Sequence, residues 1–255
     1  MEKQTYVSYF SPTGGTKRAA LMLGAALPGA SPAVEIDLSA PQLPRQCFTP
    51  DDVVIFAMPV FGGRLPALAV QKLAAMQGSG TKAIALVAYG NRAYEDALLE
   101  LSEALTKQGF IVVAAAAVLA EHSMLRTVAA GRPNADDQQQ LAGFAHRVAA
   151  KLQTAPTALT AIPGNHPYKE WQQMPVTPVA SEACNGCGIC AATCPSQAIP
   201  KDHPQTTDTA KCILCLRCTV ICPQQARALP AQAQAALAQK LGALQGIHKE
   251  NEFFI

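Results

Sequence analysis

The chain has 255 residues, about half of them hydrophobic, enough for one ordinary core and a smaller second one, so two domains are expected. A net charge of +2 with Lys and Arg scattered along the chain excludes the basic stripe that nucleic acid requires. The opening MEKQTYVSYF lacks the features of a signal peptide, and the longest apolar run, Phe110 to Ala120, is short of the roughly 20 residues of a membrane span; a soluble, cytoplasmic protein is expected.

Apolar runs then alternate with helical stretches. Thr5 to Phe10, Ala33 to Leu38, Val53 to Met58, Ala83 to Tyr89 and Phe110 to Leu119 read as strands; Thr16 to Leu27, Ala67 to Met76, Ala93 to Lys107 and Asp136 to Leu152 read as helices. Strands apolar on both faces and joined by helices predict an α/β, doubly wound, five-stranded parallel sheet covered on both sides. This first domain is placed at 1–154. From Thr154 to Ala180 the chain carries Pro156, Pro163, Pro167, Pro175 and Pro178, which argues against a helix and for a linker, 155–180. Trp171, with Tyr168 nearby, gives the linker apolar surface to pack against a domain. Ala231 to Leu244 has strong helix propensity and, with the apolar end Phe253-Phe254-Ile255, forms a tail unit over 229–255.

Eight of the nine cysteines fall between Cys184 and Cys222. Cys184, Cys187, Cys190 and Cys194, followed by Pro195, form C-x-x-C-x-x-C-x-x-x-C-P; Cys212, Cys215, Cys218 and Cys222, followed by Pro223, repeat it. Three thiolates at two-residue gaps wrap one corner of a cubane, and the fourth reaches across to the other cluster. Cys184, Cys187 and Cys190 are therefore expected to share a [4Fe–4S] cluster with Cys222, and Cys212, Cys215 and Cys218 to share a second with Cys194. Zinc competes, but tetrahedral zinc sites usually draw on separated cysteine pairs. Metal-ligand spacing in place of disulfides points to a reducing compartment. The ninth, Cys47, is expected to be a buried small hydrophobe.

Ser11-Pro12-Thr13-Gly14-Gly15-Thr16 joins the first strand to the first helix, where free N–H groups and the helix dipole favour an anion. The loop has neither the Walker nor the dinucleotide glycine pattern. Hydroxyls and two glycines suit a single terminal phosphate; an ordinary turn capped by Thr13 is the alternative. Pro59-Val60-Phe61-Gly62-Gly63-Arg64 and Tyr89-Gly90-Asn91-Arg92-Ala93-Tyr94 follow the third and fourth strands on the same edge. Arg64 and Arg92 either neutralise a bound anion or are solvated. His122, after the fifth strand, is either a cofactor or proton-relay contact or a plain loop residue.

Residues 183–228 resemble the bacterial two-cluster ferredoxins, whose motifs match in full, and a ferredoxin-like α+β domain is implied over 181–228. Ser11 to Thr16 resembles the phosphate loop of flavodoxins, S/T-x-T-G-x-T. That likeness implies a flavodoxin-like sheet holding FMN, with Phe61 and Tyr94, or Tyr89, against the flavin ring, and Gly62 and Gly63 free to turn a carbonyl toward reduced flavin N5–H. With F-S-P-T-G-G-T, P-V-F-G-G-R and Y-G-N-R-A-Y ahead of a two-cluster module, nearly the whole chain resembles the flavodoxin–ferredoxin fusion proteins of anaerobes. The function implied is electron transfer between FMN and two clusters, as a carrier working with redox protein partners. The alternative is a flavin-dependent reductase of a small substrate, fed by the clusters.

Overall fold

The structure, a computed structural model, describes residues 4–28, 33–43, 45–154 and 157–255. Residues 155 and 156, where the linker was expected to begin, lie outside it. The elements in order are β1 (Thr5–Tyr9), α1 (Gly15–Ala26), β2 (Val34–Asp37), β3 (Gln46–Cys47), β4 (Val53–Pro59), α2 (Ala67–Leu73), β5 (Met76–Gln77), β6 (Thr81–Tyr89), α3 (Ala97–Lys107), β7 (Phe110–Leu119) and α4 (Ala135–Gln153). There follow β8 (Val179–Ala180), α5 (Ile189–Ala192), α6 (Arg217–Val220), β9 (Arg227–Ala228), α7 (Ala231–Leu241) and β10 (Glu252–Phe254).

The main sheet has six strands in the order β2-β1-β4-β6-β7-β10. The first five run parallel, in the flavodoxin-like doubly wound order whose direction reverses between β1 and β4. Period two divides the side chains of the central strands between two cores: Val54, Phe56 and Met58 of β4 face one way, Val53, Ile55 and Ala57 the other. α2 and α3 close the first face with Leu73, Leu98, Leu101 and Leu105. α1 and α4 close the second with Leu23, Leu141, Phe144 and Val148. Strands buried on both sides are what continuous apolar runs require.

Five strands were expected, and the sixth corrects that count. β10 pairs antiparallel with β7, Glu252 opposite Ala117 and Phe254 opposite Ala115. Its Phe253 stacks on Phe144 at 4.8 Å while Phe254 packs into the opposite core, so the terminal run is tied down on both faces. Cys47 is also corrected: it is exposed. On the two-residue β3, alternation turns Phe48 into the core and leaves Cys47 facing outward.

The proline-rich segment is fastened along the first unit. Leu159 N–H donates to the Val112 carbonyl at 2.8 Å. The buried Asp96 carboxylate accepts from Asn165 N–H at 2.9 Å and Lys169 N–H at 2.6 Å, and Glu103 accepts from the Tyr168 hydroxyl. Arg64, forked onto Glu100 at 2.9 Å, stacks over the Tyr168 ring and donates to the Lys169 carbonyl. The cysteine repeat then folds into two short helices, α5 and α6, closed by the antiparallel pair β8–β9. Leu214 and Leu216 of the second repeat pack with Leu237 and Leu241 of α7 and against Met124, Leu125 and Met174, which seats the repeat on the end of the main sheet.

Candidate functional site

Four parallel strands, β1, β4, β6 and β7, deliver their loops to one edge, around a cleft of about 290 Å³. Helix α1 begins there at Gly14, whose φ of 95° is a left-handed conformation that glycine adopts without strain. Gly14 offers no side-chain cap, so the turn is not the Thr13-capped one weighed above, and among the described residues the N–H groups of Gly15 and Thr16 remain available to an anion. Ser11 is occupied in holding the loop: its N–H donates to Ser39 Oγ at 2.6 Å and its Oγ accepts from Lys17 N–H at 2.9 Å. Thr13, Gly15 and Thr16 line the cleft; Ser11 and Gly14 shape the loop from behind.

After β4, Phe61 and Arg64 exchange backbone hydrogen bonds of 2.9 and 3.1 Å across Gly62 (φ 61°) and Gly63 (φ 94°). Two successive positive φ values define a tight type I′ turn, a geometry that selects Gly-Gly. Pro59, Val60, Phe61 and Gly62 line the cleft and Gly63 does not. Arg64 is committed to Glu100 and Tyr168, which replaces both roles weighed for it.

Tyr89, Gly90 and Arg92 form the cleft wall after β6. Arg92 is ion-paired with Glu95 at 2.8 Å. Asn91 and Tyr94 do other work. Asn91 donates to the Leu244 and Ile247 carbonyls at 3.1 and 2.7 Å, while the Tyr94 ring lies in the core edge-on to Tyr89 and its hydroxyl donates to Glu252 at 2.7 Å. His122 lines the cleft, and its Nδ1 accepts from the N–H groups of Met124 and Leu125 at 3.2 and 3.3 Å. Burial and the Arg92 charge lower its pKa, favouring the neutral ring that carries its proton on Nε2.

The remaining wall comes from the second half of the chain: Trp171 and Met174 of the linker, Ile213, Leu214 and Cys215 of the second cysteine repeat, and Leu237, Lys240 and Leu241 of α7. Trp171 lies so close to Gly62 that a Cβ there would fall 1.8 Å from its indole, and its ring is edge-on to Phe61 at 6.5 Å. The sequence marks Trp171 as an apolar residue in a linker, but its contact with the Gly-Gly turn is a tertiary event with no local signal.

The cysteines line two small hollows. Cys184, Cys187, Cys190 and Cys222 surround one; Cys194, Cys212, Cys215 and Cys218 surround the other. These are the two interlaced sets read from the spacing. The repeats superpose in conformation as well. Gly186 and Gly188 (φ 74° each) correspond to Leu214 and Leu216 (φ 53° and 61°), and Gln197 (54°) corresponds to Gln225 (50°). Leucine in a left-handed conformation is uncommon and must be imposed by its surroundings. The turns bring N–H groups onto sulfur: Ala198 to Cys194 and Ala226 to Cys222, both at 3.3 Å, and Leu214 to Cys212 at 3.4 Å.

No family model and no curated protein matches the chain. Solved structures similar to part of it include a flavodoxin from the domain Archaea, with 16% identity over 59% of this chain and 99% of that one and a TM-score of 0.39. Flavodoxin 1 from Bacillus cereus gives 16%, 56%, 95% and 0.40, and rubredoxin oxygen:oxidoreductase from the anaerobe Desulfovibrio gigas gives 16%, 59%, 36% and 0.39. At those scores the likeness carries no argument; the fold rests on the strand order itself.

Whether the hollows suit a metal–sulfur group is tested by their chemistry. Among the described residues no three His, Cys, Asp or Glu side chains gather about a single ion. The sulfurs are arranged around spaces. Burial pushes the Cys215 thiol up to about 12 and the Cys218 thiol up to about 11, so an anionic sulfur there needs a cationic partner. Each hollow is also lined by an arginine with buried, unpartnered N–H groups: Nε and Nη1 of Arg217 at the second and Nε of Arg227 at the first. Orphaned donors beside thiol-lined space fit an anionic thiolate-ligated group. Among the described residues no helix is long and apolar enough to cross a membrane.

Proposed function

We propose that the chain binds FMN in the cleft and one [4Fe–4S] cluster in each cysteine-lined hollow, and serves as an electron carrier for redox protein partners. FMN supplies one- and two-electron exchange and each cluster supplies single-electron exchange. The chain's own part is to hold these groups close and dry. Thr13, Gly15, Thr16 and the start of α1 would take the phosphate; Phe61, Tyr89 and Trp171 would flank the ring; Cys184, Cys187, Cys190 and Cys222 would ligate one cluster and Cys212, Cys215, Cys218 and Cys194 the other.

The observation that carries this reading is that a single cleft is lined both by the phosphate-type loop after β1 and by Cys215 of the second cysteine set. Leu214 and Met174 contribute apolar atoms to the surrounding wall. The reductase alternative needs an open ring face for a substrate, and substrate-dependent flavin reoxidation in anaerobic turnover with candidate acceptors would favour it.

Rapid mixing of oxygen-free protein with substoichiometric reductant tests the arrangement. Redistribution of electrons between cluster and flavin absorbance should be fast in the unaltered chain and strongly slowed in C194A, with FMN and the first cluster retained by analysis. Equal rates in the two proteins would remove the second cysteine set from the route.

A further inference from the structure

Among the positions at which the two halves of the internal repeat differ, one exchanges a buried apolar side chain for a buried cation. After Cys194 the chain reads Pro195-Ser196-Gln197-Ala198-Ile199, and after Cys222 it reads Pro223-Gln224-Gln225-Ala226-Arg227. The two segments share their left-handed glutamine and their alanine N–H on sulfur, so Ile199 and Arg227 occupy equivalent places, and both are buried, at 4% and 3% exposure. One half of the repeat therefore fills the position with hydrocarbon and the other with a cation.

The Arg227 guanidinium is held by neutral oxygens alone. Nη1 donates to the Pro204 carbonyl at 2.5 Å, and Nη2 to the Pro178 and Thr206 carbonyls at 3.3 and 3.4 Å and to the Thr207 hydroxyl. Among the described residues no carboxylate pairs with it, whereas Arg64, Arg92, Arg126 and Arg132 each meet one within 3 Å. Its Nε is buried without a partner. A buried ion left in that state is strongly disfavoured unless a counter-charge stands nearby. The residue lines the hollow of the first cysteine set.

We infer that Arg227 is the built-in counter-ion of the group held by Cys184, Cys187, Cys190 and Cys222, a positioning residue that raises the reduction potential of that group. The inference rests on the cluster reading above. Reduction adds negative charge to a thiolate-ligated cluster, and a fixed cation in a medium of low dielectric favours that more negative form. The sequence of the second repeat thus changes an apolar position into an electrostatic control without altering a ligand.

Replacing Arg227 with the residue of its own counterpart is the direct test. Iron and acid-labile sulfide are first counted in the unaltered protein; their absence there defeats the cluster reading and not this inference alone. With clusters present, R227I should shift the midpoint potential of the first set, the signal that C222A removes, downward in an EPR-monitored titration, while R227K stays near the unaltered value. Assembled R227I clusters with unchanged potentials overturn the inference. Should R227I fail to assemble clusters, R227K and R227Q decide. Assembly with Lys and either failure or lowered potentials with Gln supports a requirement for charge; unchanged potentials with Gln, or loss of assembly with Lys, overturns it.

Discussion

Trp171 and Gly62 show how a single contact can close a site. The only tryptophan in the chain meets a glycine at a left-handed φ of 61°, with no room for a β-carbon between them. Binding of FMN is expected to quench Trp171 fluorescence, and W171A to weaken binding by about tenfold, the scale of one aromatic contact of roughly 1.4 kcal/mol. Unquenched fluorescence in a saturated titration would place the flavin away from the indole. G62A should displace the indole and lower FMN affinity as well, and a G62A/W171A double variant should lose less than the sum, because both changes act on one contact. The Gly-Gly turn was legible from the sequence, since few other pairs accept two positive φ values in succession. The partner it excludes was not, and Tyr94 illustrates the reverse difficulty: an aromatic after a strand reads the same whether it faces a cleft or, as here, the core and Glu252.

Among the elements, the five parallel strands were readable because burial on both faces leaves uninterrupted apolar runs, and β7 matches its expected span of Phe110 to Leu119. β10 was not readable, because three residues show no period and their partner strand lies far back in the chain. What secures β10 is a polar knot at the start of α4. Asp137 closes the Asn134 capping box, pairs with Arg132, and accepts from Asn251 Nδ2 at 2.7 Å, while Asn251 Oδ1 accepts from Leu119 N–H at 2.8 Å. D137N leaves the Arg132 charge without its partner and should destabilise the protein by about 3 kcal/mol in denaturant unfolding. Burial disfavours the Asp137 carboxylate, but Arg132, Asn134 and Asn251 outweigh it and hold the pKa below the ordinary value. The contribution is therefore complete above the ordinary aspartate range and lost as pH falls through the depressed pKa. An acid limb of the stability profile that is just as steep in D137N would contradict this.

At the scale of the whole molecule, the two halves of the chain complete each other's sites. The linker and α7 wall the cleft of the first half, and the fourth cysteine of each repeat lines the hollow of the other's first three. The interlacing was legible because the spacing leaves the fourth cysteine too far round the turn to rejoin its own three. The seating of the second repeat against the cleft was not, because apolar residues spread over α7, the linker and the repeat reveal no common surface until they are folded. Interlacing makes a crossed expectation: C222A should empty the hollow of Cys184, Cys187 and Cys190, and C194A that of Cys212, Cys215 and Cys218, as read by the EPR signal that survives. Cofactor analysis of protein purified without oxygen tests the central claim most directly. The expected result is about one FMN, eight iron and eight acid-labile sulfide per chain, the content of two cubane clusters; bound zinc, or iron without sulfide, would contradict it.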